Sequence, residues 1–246
     1  MNHRNETMTK KQVSAKQLGE LALPYNCRRC FWIKSALKGK LPFQSFPGIF
    51  SSIDSYTRKM VKGWFERHGE APEWVGGMGD LKKWIAPPGA KKFCIDHEES
   101  GLVLSGTPDA LFEDSEGKLI IVDFKTSKIT TGQQKLMPLY ELQLNAYALI
   151  AKRKAGDFGF PEVGGLFLLY TEPVTDGKVL EDDTKHGTDE VDMTFKSVTV
   201  PVELNEDRVH ALLGRAAEIL ASEQIPSSRR GCYECERIEG LTQLNR

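Results

Sequence analysis

Two aspartates and a lysine are spaced so that a β-hairpin would bring their side chains together. Asp109 closes the motif Gly106-Thr-Pro-Asp109, while Asp123 and Lys125 form an Asp-x-Lys motif. A turn around residues 114–117 places residues whose numbers sum to about 232 opposite one another, which pairs Asp109 with Asp123. Lys125 lies two residues beyond Asp123 and projects from the same face of the strand. The spacing therefore predicts that two carboxylates and an ammonium group converge on one patch.

This patch has the composition of a site for phosphodiester hydrolysis. Paired carboxylates hold Mg²⁺ or Mn²⁺ while leaving positions for water and a phosphate oxygen. Such a cation activates water and offsets charge on the phosphate, and a nearby lysine orients the attacking water. The alternative is an ordinary ion pair between Asp123 and Lys125 on a solvent-facing strand, because Asp-x-Lys alone is frequent. The preceding Gly-x-x-Asp motif favours the metal site.

A helix after the hairpin carries two further polar side chains. Gln143 and Tyr147 are four residues apart, so they share one helix face, with Tyr140 one turn before them. An amide and a hydroxyl beside the hairpin can bind phosphate or water near the metal. Without the hairpin, a surface Gln and a half-buried Tyr would be the better interpretation.

Four cysteines form two Cys-x-x-Cys pairs near opposite ends of the chain. Cys27 and Cys30 precede Cys232 and Cys235 by about 200 residues. Each pair can present two sulfurs to one metal, so the four together predict a metal centre that ties the two ends. Cys94 lies in a predicted strand and is expected to be a buried apolar residue. Thiolates alone suit either zinc or an iron–sulfur cluster.

Hydrophobic periodicity predicts an α/β fold in which helices flank a mixed β-sheet. Predicted helices cover residues 47–68, 138–155 and 205–222. Predicted strands cover residues 93–98, 102–112, 119–126, 163–170 and 194–202. Residues 1–13 are polar and are predicted to be a flexible tail.

Charge divides the chain into a basic and an acidic part. Residues 1–92 hold 17 Lys and Arg against 7 Asp and Glu, whereas residues 93–246 hold 16 against 27, so the net charges are +10 and −11. A basic part suits phosphate backbones, although two solvated faces of opposite sign are equally consistent. The basic residues expected to track DNA are Arg28, Arg29, Lys34, Lys38 and Lys40. With no long apolar run and no signal-like start, we expect a cytoplasmic protein without membrane contact.

The hairpin and helix motifs resemble those of the RecB-like PD-(D/E)XK nucleases. Gly106-Thr-Pro-Asp109 resembles motif II, Asp123-Phe-Lys125 resembles motif III, and Gln143-Leu-Asn-Ala-Tyr147 resembles the Gln-x-x-x-Tyr motif. The resemblance implies that Asp109 and Asp123 are metal ligands and that Lys125 is the catalytic lysine. Asp54 is the best match to the acidic residue of motif I and would be a third ligand.

The same resemblance implies the organisation of the chain. A restriction-endonuclease-like core would span residues 93–222, after a helical, basic part at residues 14–92 and before a cysteine segment at residues 223–246. All would form one structural domain. In CRISPR-associated exonucleases and AddB-type nucleases, one cysteine before the core and three after it hold an iron–sulfur cluster. A [4Fe–4S] cluster is therefore favoured, but the two-and-two division of this chain leaves Zn²⁺ open.

The expected function is that of a Mg²⁺- or Mn²⁺-dependent deoxyribonuclease. By resemblance it would be an exonuclease on single-stranded DNA or duplex ends, in CRISPR adaptation or in recombination and repair. Its protein partners would then be CRISPR integration proteins or a helicase. Two alternatives are a nucleic-acid-binding subunit with an idle nuclease site and a zinc-stapled interaction domain. The intact Asp109, Asp123 and Lys125 argue against both.

Overall fold

The computed structural model of the protein describes residues 10–37, 47–128, 130–179 and 181–244. The described strands are β1 (Gln12–Ser14), β2 (Leu81–Ile85), β3 (Cys94–His97), β4 (Leu102–Ser105), β5 (Ala110–Asp114), β6 (Leu119–Thr126), β7 (Val163–Pro173) and β8 (Phe195–Val202). The described α-helices are α1 (Ala15–Glu20), α2 (Arg28–Ala36), α3 (Gly48–His68), α4 (Thr131–Gln134), α5 (Met137–Arg153), α6 (Ala155–Phe158), α7 (Glu206–Ala221) and α8 (Tyr233–Gln243). None of these helices is both long enough and apolar enough to span a membrane.

A five-stranded mixed sheet forms the centre of the fold. Its strand order is β2-β5-β6-β7-β8, and a separate three-stranded sheet has the order β1-β4-β3. Strand β6 is antiparallel to β5 and parallel to β7, and its first six residues are buried. A strand buried on both faces has a nearly continuous apolar sequence, as β6 does from Leu119 to Val122.

Helices cover both faces of this sheet. Successive β6 side chains point to opposite faces, so they pack against different helices. Ile120 and Val122 share one apolar cluster with Val61 of α3, whereas Ile121 shares another with Leu142 of α5. Helix α7 packs in turn against α5. The predicted α/β fold, with helices flanking a mixed sheet, is confirmed.

The single strand predicted over residues 102–112 is wrong, because the chain divides there into two strands of different sheets. Strand β4 ends at Ser105 and β5 begins at Ala110. Between them, Pro108 cannot donate a backbone hydrogen bond to a ladder. A side chain at Gly106 would meet the Tyr147 ring, since a Cβ there would lie 2.3 Å from Cε1. The break places Asp109 directly before β5, at the open end of the β5–β6 hairpin.

The strand β1 also differs from the sequence-based expectation. Gln12–Ser14 was expected to belong partly to a flexible tail at residues 1–13, but it pairs in parallel with Val103–Ser105. Val13 is fully buried in the main apolar cluster. The side-chain hydroxyl of Ser14 then caps α1 by accepting from the backbone N–H of Gln17.

Gly106→Ala should destabilise the protein by about 1–3 kcal/mol, because the added methyl group forces the buried Tyr147 ring to move. Gly156→Ala is the matched control, since a Cβ at Gly156 meets nothing within 4 Å. Urea unfolding followed by circular dichroism measures both. Equal stability of the two variants would show that Tyr147 does not require the space above Gly106.

Candidate active site

The β5–β6 hairpin brings the two predicted aspartates together. Ala110 pairs with Val122, so the next pair outward is Asp109 with Asp123, as the spacing predicted. The backbone N–H of Phe124 donates to Asp109 Oδ2 at 2.8 Å. Asp123 is 3% exposed. The two carboxylates therefore lie beside each other, with Asp123 buried and Asp109 half-buried.

The proximity of these carboxylates changes the acidity of Asp109. Burial, together with the charge of Asp123, raises the pKa of Asp109 to about 7, against opposing contributions from the Phe124 N–H and the Arg58 guanidinium. A second anion in a dehydrated site disfavours ionisation. Nearby side chains therefore do not fully neutralise the two carboxylates, and a bound cation would supply the missing positive charge.

Lys125 supplies one positive charge from the same strand. Its ammonium group forms an ion pair with Asp123 Oδ2 and lies 4.2 Å from the centroid of the Tyr140 ring. Burial lowers the pKa of Lys125, but the charge of Asp123 outweighs this and the pKa is raised overall. The predicted convergence of two carboxylates and one ammonium group is therefore present in the fold.

Gln143 and Tyr147 contact the aspartates from α5. Gln143 Nε2 donates to Asp123 Oδ1 at 3.1 Å and to the Tyr147 hydroxyl at 2.7 Å. The sequence predicted that this amide and hydroxyl would bind phosphate or water. Both side chains are instead buried, at 5% and 4% exposure, and the amide holds Asp123. Their geometry is that of positioning residues.

Helix α3 contributes two residues, of which the sequence predicted one. Asp54 Oδ1 accepts a hydrogen bond from the Thr126 hydroxyl at 2.7 Å. One turn later, Arg58 forms an ion pair with Asp109 Oδ1 at 2.5 Å. Arg58 was missed because an arginine on a partly exposed helix carries no distinguishing pattern. Its position four residues after Asp54 was the available signal.

The residues present fit a divalent cation at Asp109 and Asp123. Asp123 Oδ2 is buried with no hydrogen-bond partner apart from its ion pair with Lys125, and Gln143 Oε1 has none in the described part of the chain. Asp54 stands apart, since it does not belong to any described group of three His, Cys, Asp or Glu ligand atoms within 4.8 Å of one another. Asp109 and Asp123 are therefore the two carboxylates that lie side by side, and the role of Asp54 as a third ligand stays a prediction.

The four cysteines of the two Cys-x-x-Cys pairs form a second site. Their sulfur atoms all lie within 4.8 Å of one another. Sγ of Cys30 is 3.5 Å from that of Cys232 and 3.4 Å from that of Cys235, and Cys27 is 3.7 Å from Cys235. The predicted convergence of both chain ends is confirmed.

The backbone around the cysteines suits thiolates. Cys27 and Cys232 immediately precede α2 and α8, where the N-terminal ends of helices stabilise negative charge. Burial raises the pKa of Cys27, but hydrogen bonds, first from the backbone N–H of Arg229, outweigh it and lower the pKa to about 7. Cys94 lies elsewhere and is half-buried rather than buried, with its thiol near the Lys91 carbonyl at 3.5 Å.

The basic residues predicted to track DNA are only partly available for it. Arg29 pairs with Glu239 at 2.5 Å, and Lys34 pairs with Glu20 at 2.8 Å. Arg28 is exposed at the start of α2. Lys38 and Lys40 lie outside the described residues. Two of the five cations therefore join elements of the fold, and the charge asymmetry of the sequence overstates the basic surface.

The chain is similar to one protein family and, distantly, to a solved structure. A family model described as PD-(D/E)XK nuclease superfamily matches residues 49–239. A solved structure described as the crystal structure of SSO0001 is similar with a TM-score of 0.41 and 13% identity, over 89% of this chain and 80% of that chain. No curated protein matches the chain.

Proposed function

We propose, since this chain belongs to the PD-(D/E)XK nuclease superfamily, that it is a Mg²⁺- or Mn²⁺-dependent deoxyribonuclease. We infer further that it acts as an exonuclease on single-stranded DNA or duplex ends. The observation that carries the proposal is the pair of buried Asp123 and half-buried Asp109 with the Lys125 ammonium group beside it. Neither a simple binding surface nor a stable core requires two like charges so close together.

Each side chain of the site has a distinct role in the proposed hydrolysis. Asp109 and Asp123 would hold the cation, which supplies Lewis-acid activation of water and neutralises charge on the scissile phosphate. Lys125 donates hydrogen bonds that orient the attacking water and offset the charge developing on the phosphate. Gln143, held by Tyr147, fixes the Asp123 carboxylate in the orientation that ligation needs.

Arg58 adds a second cation on the other side of Asp109. Its guanidinium carries several donors in a planar arrangement, which matches the oxygens of a phosphate group. In the described structure its Nε is buried without a hydrogen-bond partner. A phosphate entering the site could therefore be held by Arg58 while Asp109 turns to its cation.

The biological setting is proposed from the motif resemblance. Exonucleases of the RecB-like type act in CRISPR adaptation or in recombination and repair, with integration proteins or a helicase as partners. The Asp123-Phe-Lys125 and Gln143-to-Tyr147 motifs support placement with this type.

Substitutions at the carboxylate pair test the proposed reaction. Asp109→Ala and Asp123→Ala should each abolish cleavage, because each removes a ligand oxygen and its charge. Lys125→Ala keeps both carboxylates and should lower kcat by on the order of 10²-fold or more with less effect on DNA binding. Degradation of labelled single-stranded DNA in Mg²⁺ or Mn²⁺ is the measurement, with circular dichroism to check folding.

Two controls separate chemistry from folding in this experiment. Lys118→Ala removes a surface ion pair with Glu162 on the same sheet and should cleave normally. Asp54→Ala tests motif I: lost activity supports a role for Asp54, and normal activity agrees with its separation from the pair. A wild-type protein that binds DNA but is inert with both cations would favour the binding-subunit alternative. Cleavage by Asp123→Ala would refute the proposed site.

We also propose that the cysteine centre holds Zn²⁺ rather than a [4Fe–4S] cluster. Four thiolates at about 2.3 Å from one tetrahedral zinc lie about 3.8 Å from each other. Three of the sulfur separations, at 3.4–3.7 Å, are close to that value, and all the sulfurs lie within 4.8 Å of one another. In a cubane cluster each thiolate binds a different iron, so the sulfurs stand farther apart. The sulfur spacing thus supports a single ion against the cluster that the resemblance implies.

Cysteine substitution tests this centre. Replacing Cys27, Cys30, Cys232 or Cys235 with Ala should remove one zinc per chain and lower the melting temperature, because the site joins α2 to α8. Cys94→Ala should retain the zinc. Elemental analysis and visible absorption of anaerobically purified protein give the readout. Brown protein with four irons per chain would establish the cluster, and metal-free wild type of full stability would refute any metal centre.

A further inference from the structure

We propose that a groove between α3 and β8 binds an unpaired nucleobase of the DNA strand that enters the active site. The inference rests on the proposed nuclease function and specifies its substrate as a strand with exposed bases. The groove has a volume of about 260 Å³. That is just below the range of about 300–1,000 Å³ for sites of drug-sized ligands, so it suits one flat ring system.

The walls of the groove are apolar and partly aromatic. Tyr56 and Met60 line it from α3, Trp74 from the following connection, and Phe195 from β8. Tyr56 is 66% exposed and Phe195 is 36% exposed. Base stacking on such side chains is the usual way in which proteins hold single-stranded nucleic acid. In a duplex the bases are already stacked on one another, so only an unpaired base can enter.

The backbone that carries Trp74 is held in place by two hydrogen bonds from β8. The Ser197 hydroxyl of β8 donates to the Trp74 carbonyl at 2.5 Å, and the Thr199 hydroxyl donates to the Gly76 carbonyl at 2.7 Å. These bonds fasten the connection to the edge strand of the sheet. An aromatic wall that is already ordered loses little conformational entropy when a base stacks against it.

The groove adjoins the candidate active site along α3, on the face of the sheet opposite to the Asp123 side chain. Its lining residues Ile53 and Thr57 directly precede Asp54 and Arg58 on α3. On the sheet, Thr171 of β7 lies in the groove and pairs with Thr126 of β6, whose hydroxyl donates to Asp54. A strand with one base in the groove would thus have its neighbouring phosphate close to Arg58.

A buried hydroxyl in the groove provides an independent indication of a ligand. Thr171 is 5% exposed, and its Oγ1 has no hydrogen-bond partner among the described residues. A buried polar group without a partner is costly, and most such groups are satisfied in native proteins. Nucleobases carry donors and acceptors on their edges, so a bound base can satisfy Thr171. A purely apolar occupant could not.

The surrounding charge favours a nucleic acid over an apolar protein segment. The exposed Lys59 follows Thr57 on α3, beside Arg58, which pairs with Asp109, and Lys196, which pairs with Glu172 at 2.9 Å, lines the opposite wall. Cations beside an aromatic groove are the arrangement that tracks a phosphate backbone while the bases stack.

The test measures binding of a labelled oligothymidylate by fluorescence anisotropy, with Ca²⁺ in place of Mg²⁺ and the full chain. Tyr56→Ala should weaken binding roughly 5- to 100-fold, whereas Tyr56→Phe keeps the ring and should bind as wild type. Ile225→Ala is the control, since Ile225 is 55% exposed and lies outside the groove. Affinity for a blunt duplex should be unchanged in all three.

Thr171→Val gives a second readout that a structural role would not produce. It replaces the unsatisfied hydroxyl with a methyl group of similar shape, so the melting temperature should stay the same or rise. Its affinity for the oligonucleotide should nevertheless fall roughly 2- to 10-fold.

Wild-type affinity in both Tyr56→Ala and Thr171→Val would overturn the proposal. So would an equal loss of duplex binding by Tyr56→Ala, because the groove would then not distinguish unpaired bases. Loss of self-association with unchanged DNA binding would assign the groove to a protein interface. If the wild type binds the single strand in the groove but cleaves nothing, the nuclease proposal fails and the groove stands.

Discussion

The close approach of the Asp109 and Asp123 carboxylates is the constraint around which the site is arranged. Burial and the charge of Asp123 raise the pKa of Asp109 to about 7, so ionisation of both carboxylates together is unfavourable. The fold offsets part of this cost with Lys125 from the same strand and Arg58 from α3. Natural proteins accept such like-charge pairs where a function uses them. A divalent cation between the two carboxylates accounts for their arrangement.

Several features of the fold serve that pair. The break between β4 and β5 releases Asp109 from the ladder, while β6, buried on both faces, fixes Asp123. Helix α5 covers one side of the sheet and holds Asp123 through Gln143. Helix α3 covers the other side and continues into the groove, so chemistry and strand binding share one helix. The cysteine centre joins α2 to α8, which are about 200 residues apart in the sequence. The entropic cost of closing a loop is largest for such long separations.

The features that could be predicted from the sequence are those that depend on a local pattern of residues. The Asp114–Gly117 turn determines the hairpin register, so the Asp109–Asp123 pairing could be predicted from residue numbers alone. Apart from the convergence of the two Cys-x-x-Cys pairs, long-range contacts could not be predicted. Arg58 reaches Asp109 across 51 residues of sequence. The pairing of Arg29 with Glu239 depends on how the chain ends meet. The break between β4 and β5 at Gly106 could not be predicted, because apolar, strand-forming residues flank it on both sides.

Binding of Mn²⁺ tests the central claim most directly, because it asks whether the carboxylate pair is a cation site without requiring the right DNA substrate. Electron paramagnetic resonance can follow a Mn²⁺ titration of the wild type and of Asp123→Asn, which keeps the shape of the side chain and removes its charge. We expect saturable Mn²⁺ binding by the wild type that is lost in Asp123→Asn, with the cysteine-bound metal retained in both. Equal Mn²⁺ binding by the two proteins, or none by the wild type, would contradict it.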